Sequence, residues 1–246
     1  MSDAPIRIGV SACLLGQEVR YDGGHKRDPF LVETFGRYVE WVHVCPEVEI
    51  GLGTPRDPIR LERAGRDVRL VNPKTGIDLT RKMRTYAARR LAALEDQDLC
   101  GYILKKDSPS CGLERVRVYD GQGVPSRNGR GLFADALLRR CPNLPVEEEG
   151  RLNDPRIREN FVERVFAYRR LRSLFAGRWT IGDLARFHTA HKLQLLSHSP
   201  KAYATLGRLV ARAKGMPRDR ARAHYGAEFM KALSELRTPR RHASDQ

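Results

Sequence analysis

The chain has 246 residues, 41% of them hydrophobic, which is enough for one large domain or two small domains with packed cores. No stretch approaches the roughly 18–20 consecutive apolar residues of a membrane helix, and the N-terminus lacks the pattern of a secretory signal. The formal net charge is +15, and the five cysteines stand at wide, irregular spacings that do not match a secreted disulfide framework. We therefore expect a cytoplasmic protein without membrane segments, in which cysteines are core residues, metal ligands or catalytic groups.

The first 150 residues alternate strand and helix patterns in the manner of an α/β domain. Short apolar runs bounded by small residues are typical of buried strands in a parallel sheet, and alternation around an Ala-Gly-Arg-Asp turn predicts one hairpin. The predicted strands lie at 6–12, 39–44, 59–62, 68–71, 100–104 and 144–147. Helices are predicted at 78–95 and 131–140. We expect a Rossmann-like open sheet for this domain.

Beyond the segment 150–155 the pattern is helical and contains no strand. Pro155 is suited to the first position of a helix, where its missing N–H would have no helical partner. Helices are predicted at 155–174, 180–196, 200–214 and 217–236, with a frayed tail at 237–246. The predicted fold class is thus an α/β domain at 1–150 followed by an all-α domain at 151–246.

The positive charge is concentrated in the second domain. Residues 1–150 contain 24 Lys and Arg against 22 Asp and Glu, whereas residues 151–246 contain 21 against 8, so the net charges are +2 and +13. A generally basic proteome would predict an even distribution along the chain. The asymmetry instead indicates that residues 151–246 bind a polyanion, either RNA or DNA.

Three cysteines share one kind of position. Cys13 follows the first predicted strand, Cys45 follows the second, and Cys111 lies in the loop after the third core strand. Because ligand sites in open α/β sheets form where the carboxyl ends of strands meet, these thiols are expected to converge. Cys100 lies within a strand and Cys141 follows a helix, so we interpret both as structural.

Spacing alone leaves several uses open for three converging thiols. Structural zinc normally has four ligands, and catalytic zinc usually adds histidine or water. Iron–sulfur clusters are held by thiolates, normally four for a 4Fe–4S cluster, so a cluster held by three would leave one iron open. Three buried core cysteines with no metal remain an alternative, because the chain has no close CxxC pair.

Polar residues near Cys45 and Cys111 indicate acid–base chemistry. Glu47 lies two residues after Cys45, so its carboxylate would reach the same space as a general acid or base, or would start a surface helix. Ser108 and Ser110 precede Cys111, and a hydroxyl there would hydrogen-bond a substrate or close a turn.

The motifs SACLLG with VRYDG, then VCPE, then KDSPSCG, in this order and spacing, resemble the thiouracil desulfidase family over about residues 5–150. The resemblance implies a 4Fe–4S cluster held by three thiolates, whose fourth iron is free to bind the sulfur of the substrate. It also implies that Glu47 and Ser108 act as the acid–base and positioning groups. The cluster ligands that it implies are Cys13, Cys45 and Cys111.

The stretch FHTAHKLQLLSHSPKAYATLGRLV, residues 187–210, resembles a second family, a helical domain often fused to the desulfidase domain. Fusions of the two domains resemble the tRNA 4-thiouridine desulfidases. In that family the helical domain generally continues beyond the point that corresponds to Gln246, so the resemblance covers only its first half and implies a shortened form.

Together the resemblances imply an enzyme that removes sulfur from 4-thiouridine in tRNA, giving uridine and hydrogen sulfide. Thiouridine-bearing tRNA is the expected partner, and basic side chains of the helical domain are expected to bind its phosphates. The residues predicted to bind this substrate are Lys192, Lys201, Arg208 and Arg212.

Three other functions stay open at this point. Free 2-thiouracil or another small thiolated base is an alternative substrate, although a free base needs no basic surface. Sulfur insertion, the reverse reaction, normally requires adenylation, and the chain contains no GxxxxGK phosphate loop. A non-catalytic iron–sulfur regulator would bind tRNA without converting its thiouridine.

Overall fold

The structure is a computed structural model that describes residues 5–236. These residues form two compact units, the first ending at Asn153 and the second beginning at Asp154. The first unit combines sheets with helices and the second is helical, so the predicted fold class is confirmed. The predicted tail at 237–246 lies outside the described residues. None of the described helices is long and apolar enough to cross a membrane.

The described part of the first unit contains two four-stranded sheets and three α-helices. The strands are β1 (Arg7–Ser11), β2 (Glu40–Val44), β3 (Arg60–Ala64), β4 (Asp67–Val71), β5 (Leu99–Leu104), β6 (Val116–Tyr119), β7 (Pro125–Gly129) and β8 (Val146–Glu148). The helices are α1 (Pro46–Glu49), α2 (Thr80–Glu95) and α3 (Leu132–Arg140). Both longer helices and six of these strands correspond to predicted elements, with ends shifted by one or two residues.

The first sheet has the strand order β2-β1-β5-β8, and every neighbouring pair in it is parallel. All six residues of β5 are buried, as expected for a strand covered on both faces. Parallel strands end at the same edge of a sheet, so the segments that follow β1, β2 and β5 meet there. This edge carries Cys13, Cys45 and Cys111.

The second sheet has the order β4-β3-β6-β7 and was predicted only in part. The hairpin β3–β4 is confirmed, with Arg60 opposite Val71. Strands β6 and β7 were missed, because β7 reads Pro-Ser-Arg-Asn-Gly and four of its five residues are exposed. A polar edge strand of this kind has no apolar alternation to reveal it, and it forms through antiparallel pairing with β6.

Helix α2 shows why periodicity predicts this part of the chain well. Its buried residues include Met83, Tyr86 and Leu91, which recur at helical spacing and form one apolar stripe. Helix α3 presents Phe133 and Leu137 to the core, and the rings of Tyr86 and Phe133 lie 6.2 Å apart. The stripes of the two helices thus pack together beside the first sheet.

The second unit contains five α-helices among the described residues. They are α4 (Pro155–Phe175), α5 (Ile181–Ala190), α6 (Lys192–His198), α7 (Pro200–Arg212) and α8 (Arg218–Ser234). The Asp154 carboxylate accepts the N–H of Arg156 at the start of α4, and Thr180 forms a capping box with Asp183 at the start of α5. The shared core includes Leu184, Leu195, Leu206, Tyr225 and Phe229.

The single helix predicted at 180–196 is wrong, because the chain forms two helices that meet at His191. This residue leaves helical geometry at φ −102° and ψ 15°. Its imidazole is buried and stacks on Phe187 at 4.0 Å between ring centroids. The break depends on burial of that ring in the tertiary core, which the apolar periodicity of the segment does not encode.

Candidate active site

A cavity of about 430 Å³ lies at the carboxyl edge of the first sheet. The structure brings together there the five site residues that the sequence analysis selected in the α/β domain. These residues are Cys13, Cys45, Glu47, Ser108 and Cys111. The three thiols arrive from three different strand ends, as the strand-end argument predicted.

Each cysteine is held by a short local structure. Cys13 lies in the 3-10 turn Ala12–Leu15 after β1, which ends at Gly16 with φ +93°, a conformation that favours glycine. Cys45 is the N-cap of α1 and its thiol lies 3.8 Å from the carbonyl oxygen of Val19. Cys111 lies in the loop between β5 and β6 and is buried.

Burial governs the ionisation of the three thiols. Removal from water raises the pKa of Cys13 to about 11 and also raises the pKa of Cys45 and of Cys111. Negative charge on Cys13 and Cys45 further raises the pKa of Cys111, while a hydrogen bond from Ser11 lowers it. The thiols are therefore close enough to influence one another, and a cation that bound them would displace their protons.

The carboxylate of Glu47 is fixed by a buried arginine that the sequence analysis did not select. Arg56 Nη2 lies 2.5 Å and Nε 3.2 Å from Glu47 Oε2. The same guanidinium donates to the carbonyl oxygens of Val19 at 3.0 Å and Gly53 at 2.8 Å. The Arg56 and Glu47 side chains are only 6% and 13% exposed. Arg56 thus joins three loops behind the carboxylate, and its position in the sequence carries no motif that would have revealed it.

The two serines before Cys111 have different roles in the geometry. Ser110 is fully buried, and its hydroxyl donates to Glu47 Oε1 at 2.7 Å. Ser108 lines the cavity, but its hydroxyl is 3.4 Å from the same oxygen and accepts the N–H groups of Ser110 and Cys111. Sequence analysis favoured Ser108 as the acting serine, whereas the closer contact to the carboxylate belongs to Ser110.

A second ion pair borders the cavity at Lys105. Its ammonium pairs with Glu149 Oε1, and Glu149 Oε2 accepts the N–H of Lys106 at 2.8 Å. The N–H of Lys105 donates to Ser11 Oγ at 3.0 Å, and the positive charge of its side chain acts against the rise in the pKa of Cys13. This pair joins the ends of β5 and β8, which no local sequence pattern indicates.

The other cysteines lie elsewhere, as the sequence analysis expected. Cys100 is buried within β5 and Cys141 is the C-cap of α3, and neither lines the cavity. Within residues 5–236, no three His, Cys, Asp or Glu side chains are grouped tightly enough to hold a single metal ion. The three cavity thiols therefore share one space without forming the compact site of a lone ion.

The four predicted substrate-binding residues lie in the helical unit and are all exposed. Lys192 is the first residue of α6. Lys201, Arg208 and Arg212 stand at spacings of seven and four on α7, so they share one face of that helix. Thr205 lies on the same face and accepts a hydrogen bond from Arg208 at 3.0 Å. The three residues Lys201, Arg208 and Arg212 are called the α7 stripe below.

A parallel α/β sheet with three thiols and a fixed carboxylate around one cavity defines a cysteine-lined α/β enzyme. The chain belongs to the 2-thiouracil desulfurase family, whose model matches residues 8–149. The family resemblance stated above is thus confirmed, and membership makes the protein a desulfidase, which cleaves a C–S bond.

Two relatives of the catalytic unit are known. The chain is 34% identical over 154 residues to the uncharacterized protein YbbK of Bacillus subtilis (strain 168), a match that covers 60% of this chain and 98% of that one. It is also similar to the solved structure of the [4Fe-4S]-dependent thiouracil desulfidase TudS, at 38% identity and a TM-score of 0.49, with 61% of this chain and 94% of that one covered.

The helical unit matches a different family, described as a protein of unknown function (DUF1722), over residues 192–244. That match overlaps the stretch at 187–210 on which the second resemblance rests. Its description assigns no activity to the helical unit, so any role of this unit has to be argued from its own charge and geometry.

Proposed function

We propose that this protein is an iron–sulfur-dependent desulfidase that removes sulfur from 4-thiouridine in tRNA, giving uridine and hydrogen sulfide. The observation that carries the proposal is the convergence of Cys13, Cys45 and Cys111 on one cavity beside the carboxylate of Glu47. Family membership supports the desulfidase chemistry, and the charge of the helical unit supports the RNA substrate.

The donor set of the cavity fits a three-cysteine 4Fe–4S cluster. Among the described residues that line it, no fourth cysteine and no histidine is present, so a zinc site with four protein ligands is not available. Cluster ligands bind different irons, and thiols that share a cavity without meeting at one point suit that arrangement. Cys13, Cys45 and Cys111 would hold the cluster, which would supply a Lewis-acidic iron for a soft sulfur atom.

The reaction needs no oxidant or reductant. Water and the C=S group of the base give a C=O group and hydrogen sulfide: the water oxygen forms the new bond to carbon, the C–S bond breaks, and both water protons end on sulfur. Catalysis therefore requires a group that takes a proton from water as it attacks.

Glu47 is placed to take that proton. Arg56 donates twice to Glu47 Oε2, which satisfies this oxygen. Oε1 accepts from Ser110 at 2.7 Å but only distantly from Ser108 at 3.4 Å, so it retains room for a water molecule. Arg56 and Ser110 hold the carboxylate still while Oε1 receives and returns the proton.

The helical unit supports a tRNA substrate. The α7 stripe and Lys192 are exposed cations in a segment, 151–246, whose net charge is +13. Such residues bind backbone phosphates and release counterions, which gives affinity for RNA without reading its sequence. A free base would gain nothing from this surface.

Anaerobic reconstitution with iron and sulfide, followed by nucleoside analysis of thiolated tRNA, tests the proposal. We expect 4-thiouridine to be converted to uridine with one hydrogen sulfide per base. Cys13→Ser should lose both the visible absorbance of the cluster and turnover, while Cys141→Ser, outside the cavity, should keep both. A colourless Cys13→Ser protein with full activity would contradict the role of the cluster.

Free 2-thiouracil is the second candidate substrate, and the description of the matched family favours it. On this alternative the protein converts the free base efficiently and binds tRNA no better than another basic protein does. Turnover of 2-thiouracil, 4-thiouracil and thiolated tRNA at equal concentrations separates the two candidates.

A further inference from the structure

The second sheet contributes one side of the cavity rim. Arg60 of β3 and both Arg117 and Tyr119 of β6 line the same cavity as the three thiols. Leu61 pairs with Val118 and Glu62 with Tyr119 in the parallel register, so Arg60, Arg117 and Tyr119 project from one face of the sheet. The name rim platform is used below for Arg60, Arg117 and Tyr119.

The rim platform contains a preformed planar stack. The guanidinium of Arg60 lies 4.6 Å from the centre of the Tyr119 ring. Glu62 accepts from Arg60 Nε at 2.9 Å and Nη2 at 2.8 Å, which fixes the orientation of the guanidinium. Both Arg60 and Tyr119 are half-buried, so the stack presents a surface with little rotamer freedom left to lose on binding.

Arg117 adds a free cation beside the stack. Its side chain is exposed, and no acidic side chain within residues 5–236 forms an ion pair with it. The facing residue of β7, Arg127, is neutralised by Asp107 at 3.3 Å. Arg117 therefore keeps its full charge available to an anion at the edge of the cavity.

A planar stack with an adjacent unpaired cation is the combination by which proteins bind nucleotides of unpaired RNA. Aromatic rings and arginine planes stack on bases, and cations contact the phosphates. An enzyme that reacts with a base in a chain also has to hold the neighbouring nucleotides while that base leaves the stack. A free base in the cavity would leave this platform unused.

We propose that the rim platform is a subsite for the nucleotide next to the thiolated base. The neighbouring base stacks on Tyr119 and Arg60, and its phosphate contacts Arg117. This inference rests on the RNA substrate of the proposed function and adds that the catalytic unit itself, and not the helical unit alone, selects a polynucleotide.

Kinetics with two substrates test the subsite. Tyr119→Ala should raise KM for thiolated tRNA about tenfold, because loss of one base stack weakens binding by at least that factor. Tyr119→Phe keeps the ring and should change KM by less than about twofold. Both variants should turn over free 4-thiouracil at the wild-type rate, because the free base does not reach the platform.

Arg117→Ala should also raise KM for tRNA, and it should lower the salt dependence of binding by about one phosphate contact. Arg66→Ala is the matched control, since Arg66 is an exposed arginine in the turn between β3 and β4 and does not line the cavity. This control should leave both KM and the salt dependence unchanged.

A binding measurement makes the test independent of turnover. A short RNA with 2-aminopurine beside 4-thiouridine should lose fluorescence on binding the full-length wild-type protein, through stacking on the platform, and should lose much less with Tyr119→Ala. The subsite is overturned if wild type causes no quenching, if Tyr119→Ala quenches equally, or if the variant slows free base and tRNA alike. Failure of the wild type to desulfurate any base would instead overturn the proposed function.

Discussion

At the scale of single residues, the site depends on how one carboxylate is held. Glu47 receives hydrogen bonds from Arg56 on one oxygen and from Ser110 on the other. Both partners are at least nine-tenths buried in their side chains, so neither competes with water for the contact. The carboxylate is therefore positioned before any substrate arrives, which lowers the cost of reaching the transition state.

Replacement of Glu47 tests whether it moves the proton. Glu47→Gln keeps the shape of the side chain but cannot accept a proton, so turnover should fall by about 100-fold or more. The visible absorbance of the cluster should remain, because the three thiols are untouched. Glu33→Gln, an exposed acid of the same unit, is the control. Undiminished turnover of Glu47→Gln would exclude it as the base.

Removal of Arg56 tests the stability of the buried ion pair. Arg56→Met leaves a carboxylate buried without its cation, so the free energy of unfolding in urea should fall by about 3 kcal/mol. The double variant with Glu47→Gln removes both charges and should recover part of that loss. Arg7→Met breaks an exposed pair with Glu40 and should lower the free energy by less than about 1 kcal/mol. Equal losses for Arg56→Met and Arg7→Met would contradict the buried-pair argument.

At the scale of elements, close packing of β1 against β5 sets where the thiols emerge. A Cβ on Gly9 of β1 would lie 2.2 Å from Tyr102 Cδ2, and Tyr102 is only 1% exposed. The ring cannot move away without disturbing Phe133 of α3, whose ring centre lies 6.0 Å from it. Glycine at this position thus lets the two central strands and α3 pack into one layer.

Gly9→Ala should therefore destabilise the first unit. Overpacking of a rigid core costs about 1–3 kcal/mol, so the thermal midpoint should fall by several degrees. Gly121→Ala is the control, because its added Cβ would meet no atom within 4 Å. If the two alanine variants melt at the same temperature, the contact between β1 and Tyr102 does not limit packing in the way described.

The elements also show where sequence patterns succeed and fail. Strands β1, β2 and β5 and helix α2 bury regular apolar faces, so periodicity predicted them. Strand β7 is polar and exposed, and it exists because β6 pairs with it. The rim platform depends on β6, so that surface was invisible in the sequence.

At the scale of the whole molecule, charge is divided between the two units. The segment 1–150 is close to neutral at +2, whereas 151–246 carries +13, and the α7 stripe places three of those cations on one helical face. On the proposed function, the first unit performs chemistry and the second supplies most of the phosphate affinity.

Neutralising the α7 stripe should reduce the electrostatic part of tRNA binding. In the variant with Lys201, Arg208 and Arg212 replaced by alanine, the slope of log Kd against log salt should fall by about 2–3, since each phosphate contact contributes roughly one. Turnover of free 4-thiouracil should be unchanged. A matched triple replacement of Arg37, Arg66 and Lys74, exposed cations of the first unit, should leave the slope unaltered. An unchanged slope in the stripe variant would remove this helix from the RNA-binding surface.

The sequence by itself determined the order of the main elements, the placement of Cys13, Cys45 and Cys111 at strand ends, and the concentration of charge in the helical unit. These features are local, because burial periodicity, turn residues and charge counts are written in neighbouring positions. Only the tertiary structure decided that Arg56 holds Glu47 and that Ser110 contacts it more closely than Ser108. The Glu47–Ser110 contact joins residues 63 apart in the chain, and such pairs form through strand order and packing that no local pattern records.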